Sequence, residues 1–229
     1  MKRIAFTMLE LIMVIVVLGL LAVIAIPRLD NDRRQEAADN ILSSIRLTQS
    51  IALTDNKNDR TQSGLMTPAV RTNWQIGLWH IRFSSYDSGN KWFYTISSSL
   101  DGDGNVDQAE AAVDPSNGKF MYNLAGDGTI DDSESPNIFI SEMYGVNNVD
   151  FSNCTGATGR NQGANTARHI AFDYMGRPHK GIYAATNDYA TVMHADCIIR
   201  FTFLDGSTPL EININSETGY AYIVGKADS

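Results

Sequence analysis

The chain has 229 residues, with 26 acidic and 18 basic side chains and a net charge of −8 at pH 7. Broad electrostatic binding to nucleic acid needs a basic surface, so this balance argues against that class of function and leaves only a local basic patch. Once the apolar N-terminal segment is set aside, about 170 residues remain, enough for one domain with its own core.

The first feature along the chain is an apolar segment, residues 6–26, whose one charged side chain is Glu10. It follows a basic leader, residues 1–5. A helix rises about 1.5 Å per residue, so the segment covers roughly 30 Å and predicts a transmembrane helix. Lys2 and Arg3 predict a cytoplasmic N-terminus and an exported remainder. A carboxylate in the hydrocarbon core indicates function, unless Glu10 lies near the headgroups.

These residues resemble the N-terminus of the type IV pilin and pseudopilin family: a short basic leader, then Phe6, then Glu10 and an unbroken apolar run. The resemblance is strong up to about residue 55 and weak beyond it. It implies that a prepilin peptidase cuts between Ala5 and Phe6 and methylates the new Phe6 amine. The family usually has Gly where Ala5 stands, and often a helix-bending proline where Pro27 stands.

The resemblance also implies assembly through the N-terminal helix, with other pilin or pseudopilin subunits and an inner-membrane assembly platform as partners. Glu10 can then pair with the Phe6 amine of a neighbouring subunit. An unpaired buried charge keeps its full desolvation cost, whereas attraction within a buried pair offsets part of that cost. The pair also fixes the axial offset between subunits. Glu10 is therefore predicted to set the assembly register.

The helix is expected to continue as an amphipathic half over residues 27–58, ending at the polar run 56–59. Apolar and small side chains recur at helical spacing on one face, while Asp39, Ser43, Arg46 and Gln49 lie opposite. The predicted buried stripe consists of Ala38, Ile41, Leu42, Ile45, Thr48, Ile51 and Ala52. Such a stripe predicts packing on a sheet.

Residues 59–229 are expected to form a β-rich globular domain outside the cytoplasm. Residues 74–85 and 91–98 carry β-type residues on either side of a turn at 87–90, which predicts a hairpin. Further strands are predicted within 137–152, 167–174, 197–203, 210–215 and 220–224. The expected fold class is α+β, with a long N-terminal transmembrane-plus-amphipathic helix packed on an antiparallel sheet, as in pilins.

Two similar acidic stretches, residues 99–110 and 123–134, are inserted in this domain and follow the pattern of an EF-hand loop. Oxygen-bearing side chains alternate along the loop, a glycine allows the sharp turn, and a glutamate closes it. The predicted Ca²⁺ ligands are Ser99, Asp101, Asp103, Asn105, Asp107, Glu110, Asn123, Asp127, Thr129, Asp131 and Glu134. Ser99 replaces the usual Asp, and Ala125 lacks a ligand oxygen. The alternative is a pair of solvated Asp-Gly turns.

The two cysteines, Cys154 and Cys197, have no zinc-type spacing. In an exported domain an even pair predicts one disulfide, the alternative being two buried thiols. Members of the pilin family often carry such a bond in their C-terminal region.

No catalytic motif is present: the histidines lie at neither metal nor triad spacing, and the signatures of hydrolases, phosphate-binding loops and zinc proteases are missing. An enzyme and a small-molecule substrate are therefore not expected. One basic group could contact DNA phosphates, the alternative being ordinary loop charge. It consists of Arg160, Arg168, Arg177, His179 and Lys180.

The favoured function is a non-enzymatic subunit of a type IV pilus-like filament, above all a pseudopilin of a type II secretion system. The alternatives are a DNA-binding minor pilin for natural transformation and a type IV pilus subunit for adhesion or motility. The expected location is the bacterial inner membrane, crossed once, with a periplasmic domain that later joins a filament.

Overall fold

The computed structural model describes residues 8–55, 75–99, 106–154, 168–183 and 191–226, with the backbone alone for 22–32. Helix α1, Met8–Thr54, continues through Pro27 without a break in its assignment. Its C-terminal half buries the predicted stripe: Ile41 and Ile45 are fully buried, whereas Asp39 and Ser43 on the opposite face are exposed. The 3.6-residue period of the sequence thus identified the packed face.

The transmembrane prediction is corrected. Among the residues that the structure describes, no helix is long and apolar enough to cross a membrane. The predicted fold class is therefore wrong in its transmembrane helix, and a single-pass inner-membrane location is not supported.

The globular part is α+β, and its described strands form two antiparallel four-stranded sheets. The first sheet has the order β2-β1-β4-β5, and the second has the order β3-β6-β7-β8. The strands of the first sheet are β1 Trp79–Tyr86, β2 Lys91–Ser97, β4 His169–Phe172 and β5 Pro178–His179. Those of the second are β3 Val146–Asn153, β6 Cys197–Phe203, β7 Leu210–Ile214 and β8 Ala221–Ile223.

The predicted hairpin is confirmed: β1 and β2 pair antiparallel, joined by a 3-10 turn, Asp87–Gly89. The predicted meander of the last three strands, β6 to β8, is confirmed as well. Part of the 137–152 prediction is wrong, because Ile140–Tyr144 forms a short helix, α2, before β3. A 3-10 turn at Pro136–Ile138 leads into α2, and Gly145 ends it in the left-handed conformation (φ 75°).

The core lies between the two sheets and the C-terminal half of α1. Phe83 of β1 meets Phe201 of β6 with ring centroids 5.5 Å apart, which joins the sheets. The buried Tyr94 hydroxyl lies 2.8 Å from the Ser44 hydroxyl and donates to the Asn40 side chain, so the helix is also fixed by polar contacts. The inner face of β1 is thereby committed to the core, and its outer face points away from that core.

Candidate functional site

The N-terminal part of α1 carries an uninterrupted exposed apolar surface. Large apolar side chains from Met8 to Leu21 expose between 49% and 83% of their surface. They occupy every side of the helix, because they are consecutive in sequence from residue 11 to residue 18. Glu10 is exposed within this surface, and the predicted processing residues Ala5 and Phe6 lie outside the described residues. A helix that is apolar all round normally becomes buried all round.

The predicted disulfide is confirmed: Cys154 and Cys197 are bonded and almost fully buried. Cys154 follows β3 and Cys197 begins β6, and these two strands pair with Asn153 opposite Ile198. The bond therefore closes the end of an existing strand pair. The chain between the two cysteines leaves the second sheet and supplies β4 and β5 to the first.

The second acidic loop, residues 123–134, is closed by the carboxylate of Glu134, which is fully buried. Its Oε1 accepts from the backbone N–H of Leu124 at 2.5 Å, and its Oε2 accepts from that of Asp131 at 3.2 Å. Asn123 Oδ1 accepts from Gly126 N–H at 2.9 Å. The first and last predicted ligands of this loop are thereby brought close together, as a chelating loop requires.

The side chains of Asp127, Thr129 and Asp131 lie on exposed parts of the same loop, and Asp127 Oδ1 accepts from Thr129 N–H at 2.8 Å. Hard oxygen donors of this kind suit Ca²⁺. No group of three or more Asp, Glu, His or Cys side chains placed to hold a metal ion occurs among the described residues. The loop therefore offers the donor chemistry for Ca²⁺ without an assembled carboxylate cage.

The first acidic loop is described only at its ends, so Asp101, Asp103 and Asn105 lie outside the described residues. Asp107 and Glu110 form a capping box around a 3-10 turn, in which Glu110 Oε2 accepts from Asp107 N–H at 3.1 Å. Ser99 is buried. The contact between Glu110 and Asp107 repeats the one between Glu134 and Asp131, so the two stretches are alike in structure where both are described.

The described members of the basic group make contacts with other residues of the same domain. Lys180 is 6% exposed, and its Nζ donates to the Cys154 carbonyl oxygen at 2.5 Å. Burial lowers the pKa of this amine. The guanidinium of Arg168 stacks 4.5 Å from the Trp92 ring centroid. Arg160 lies outside the described residues.

The other two members hold the turn after β4 through Asp173. Arg177 Nη2 lies 2.8 Å from Asp173 Oδ2, and the buried His179 lies 3.4 Å from the same oxygen. Burial raises the pKa of Asp173, but hydrogen bonds from His179 and Arg177 outweigh it and lower the pKa to about 2. These contacts give the cationic groups a structural role in the turn.

A polar cavity on the outer face of the first sheet was not predicted from the sequence. Its floor comes from alternate residues of β1 and β2, among them His80 and Arg82, while Tyr183 forms part of its wall. The signal was present in the segment 80–84, where polar side chains alternate with Ile81 and Phe83. That alternation shows which face of β1 avoids the core, but not that loops fold over it.

His80 is buried and lines this cavity. Its Nδ1 lies 3.1 Å from the Leu78 carbonyl oxygen and therefore carries the proton as donor. The opposite nitrogen, Nε2, then accepts from the Tyr183 hydroxyl at 2.7 Å. Burial lowers the pKa of His80 to about 4, against the weaker raising effect of the Leu78 bond. His80 is thus a neutral hydrogen-bonding residue that fixes the Tyr183 ring.

Comparison with protein-family models, curated proteins and solved structures found no match to this chain.

Proposed function

We propose that this chain is a non-enzymatic structural subunit of a type IV pilus-like filament, assembled through residues 8–21 of α1. The observation that carries the proposal is the exposed apolar surface of this helix, with Met8 at 83% and Leu9 at 72%. Among the described side chains of α1, those that pack in the core of the globular part belong to its C-terminal half, such as Ile41 and Ile45. The apolar surface of residues 8–21 must therefore be buried against another molecule.

Identical helices from other copies of the chain bury this surface, since a bundle of apolar helices buries every side of each member. Their van der Waals packing and removal of apolar area from water both favour assembly. The resemblance of the N-terminal residues to pilins supports the same arrangement. It also makes a type II secretion filament the first role to examine.

The test is assembly of the purified full chain. The chain is dispersed in a mild detergent, the detergent is removed, and sedimentation and electron microscopy follow the product. We expect filaments from the unchanged chain and a strong loss of them from Ile15→Lys, which places a charge in the packed surface. Leu204→Lys is the matched control, because Leu204 is a similar aliphatic side chain that is at least as exposed as Ile15 but lies in the globular part.

Filaments formed by the Ile15→Lys variant at the normal yield would contradict the proposal. So would an equal loss in Leu204→Lys, because it would show that any added surface lysine prevents assembly.

A DNA-uptake filament is the second candidate, but the described members of the basic group give it little support. Lys180 and His179 are buried, and Arg177 is paired with Asp173. A gel shift of the full chain with duplex DNA, at low and at physiological salt, separates the two roles. A shift that weakens with salt would favour uptake.

We further propose that the loop 123–134 binds Ca²⁺, supported by its closure through Glu134 and by its oxygen donors. Addition of Ca²⁺ to the chelator-treated chain should raise the melting temperature, because an ion that binds the folded state stabilises it. The double variant Asp127→Asn, Asp131→Asn should lose this rise. Asp132→Asn is the control, since Asp132 is exposed in the same loop but is not a predicted ligand. No rise in the unchanged chain would refute the site.

A further inference from the structure

The outer face of the β1–β2 hairpin forms the floor of a cavity of about 260 Å³. The register places three cross-strand pairs on this face: His80 opposite Ser97, Arg82 opposite Thr95, and Ser84 opposite Phe93. All six of these residues line the cavity. Five of the six are polar, so the floor is a regular array of donors and acceptors on paired strands, with the Phe93 ring at one end.

Two tyrosines from outside the hairpin also line the cavity, and each is held by its hydroxyl. Tyr122 donates to the Val106 carbonyl oxygen at 2.7 Å, and the Tyr183 hydroxyl contacts His80 Nε2 at 2.7 Å. Phe93 adds a third aromatic ring from the floor. Fixed aromatic rings offer flat apolar surfaces at little entropic cost on binding.

Arg82 supplies the charge in the cavity. Its side chain is partly buried, and its guanidinium carbon lies 6.0 Å from the Tyr183 ring centroid. Within the ranges that the structure describes, no carboxylate lies in ion-pair distance of Arg82. A partly desolvated guanidinium among hydroxyl groups favours a planar anion, which it can hold through two parallel hydrogen bonds.

These features select the ligand class. Cavities of roughly 300–1,000 Å³ hold drug-sized molecules, so about 260 Å³ suits a single ring. The hydroxyls of Ser84, Thr95 and Ser97 match a ring bearing several hydroxyl groups, and the aromatic rings match its apolar face. One guanidinium matches one carboxylate. We propose that this cavity binds a uronic acid, a sugar ring with one carboxylate, either free or as a residue of a polysaccharide.

The experiment is isothermal titration of the full chain, kept dispersed in a mild detergent, with galacturonate. Galactose has the same ring without the charge, and acetate has the carboxylate without the ring. We expect galacturonate to bind about tenfold more tightly than either, because only it uses both the guanidinium and the array of hydroxyls. Equal binding of galactose and galacturonate, or of acetate and galacturonate, would overturn the proposal.

Three variants locate the binding. Arg82→Gln should weaken galacturonate binding about tenfold or more and leave galactose binding unchanged. Arg82→Lys keeps the charge but loses the planar fork, so it should bind with intermediate affinity. Arg200→Gln is the matched control on the second sheet, where Arg200 lies 3.8 Å from Glu211. Melting temperatures show whether each variant is folded.

Unchanged galacturonate binding in folded Arg82→Gln or Arg82→Lys would overturn the site, as would an equal loss in Arg200→Gln. Trigalacturonate distinguishes the two sources of the ligand: tighter binding than galacturonate indicates a polymer, and equal binding indicates the free acid. Neither result depends on filament formation, so this proposal and the proposed function can fail separately.

Discussion

The side-chain amide of Gln49 lies where a side chain on Gly219 would have to go. A Cβ on Gly219 would come within 2.6 Å of Gln49 Nε2 and within 2.1 Å of the Gly176 carbonyl oxygen. Gln49 Nε2 donates to that same carbonyl at 3.0 Å and to the Thr218 carbonyl at 2.7 Å. One side chain of α1 thus joins the turns of both sheets.

Gly219→Ala should destabilise the fold by about 2–4 kcal/mol, because it adds a steric clash to a left-handed backbone conformation. Gly206→Ala is the control: Gly206 has a similar positive φ (72°), but its added Cβ would meet no atom within 4 Å. We expect it to cost about 1 kcal/mol. Urea unfolding of both variants measures the difference, and equal losses would show that the contact with Gln49 is unimportant.

His80 should make the fold sensitive to mild acid. Its pKa is about 4 when folded and 6.5 when exposed, so the unfolded chain binds the proton first as the pH falls. Above about pH 6.5 His80 does not reduce the free energy of unfolding. Between there and about pH 4 its titration lowers that free energy by about 3 kcal/mol. Arg82, His169 and Tyr183 surround this ring, and the positive Arg82 adds to the effect.

The measurement is the free energy of unfolding in urea at about pH 7 and about pH 4.5. His80→Gln can keep both hydrogen bonds but does not titrate, so it should lose less stability between the two values than the unchanged chain. His194→Gln, at an exposed position, should behave like the unchanged chain. An equal loss in the chain with Gln at position 80 would rule out His80 as the source.

Removal of the disulfide should cost about 3–4 kcal/mol in the chain-entropy model, given the 43-residue separation of its cysteines. The double variant Cys154→Ser, Cys197→Ser tests this by urea unfolding. The reduced unchanged chain should unfold at a similar urea concentration, which separates loss of the bond from the effect of the serines. If the double variant unfolds where the oxidised chain does, the bond adds nothing to stability.

Glu10 should be required for assembly but not for folding. Its carboxylate would be buried among apolar helices in a filament, and loss of one partner from a buried ion pair costs about 3–5 kcal/mol. We therefore expect Glu10→Ala and Glu10→Val to enter filaments of the unchanged chain at least about tenfold less efficiently. Co-sedimentation measures incorporation, with Glu36→Ala, at another exposed position of α1, as control. Normal incorporation of both Glu10 variants would show that Glu10 is not required for assembly.

Local pattern predicted much of the fold. The period of residues 38–52 identified the buried face of α1, and the alternation around the turn Asp87–Gly89 identified the hairpin. The division into two sheets could not be predicted, because the pairing of β1 with β4 joins segments far apart in sequence. Helix α2 was missed because Ile140 and Met143 suit a strand as well as a helix turn.

The same distinction between local and distant sequence applies to the sites. The disulfide followed from a count of two cysteines, whereas the cavity around Arg82 depends on Tyr122 and Tyr183, which belong to distant loops. The transmembrane prediction rested on the summed length of residues 6–26. Among the described residues of the chain, no helix is long and apolar enough to cross a membrane.

The bond between Cys154 and Cys197 also limits how far the chain can lengthen under tension. Between these residues the chain runs through β4 and β5 and could otherwise extend by about 150 Å, at about 3.5 Å per residue. If the second sheet of a subunit opened in a filament pulled along its axis, the disulfide would prevent the chain between the two cysteines from extending. Single-molecule stretching should therefore show a shorter final extension for the oxidised chain than for the reduced one, by about that length.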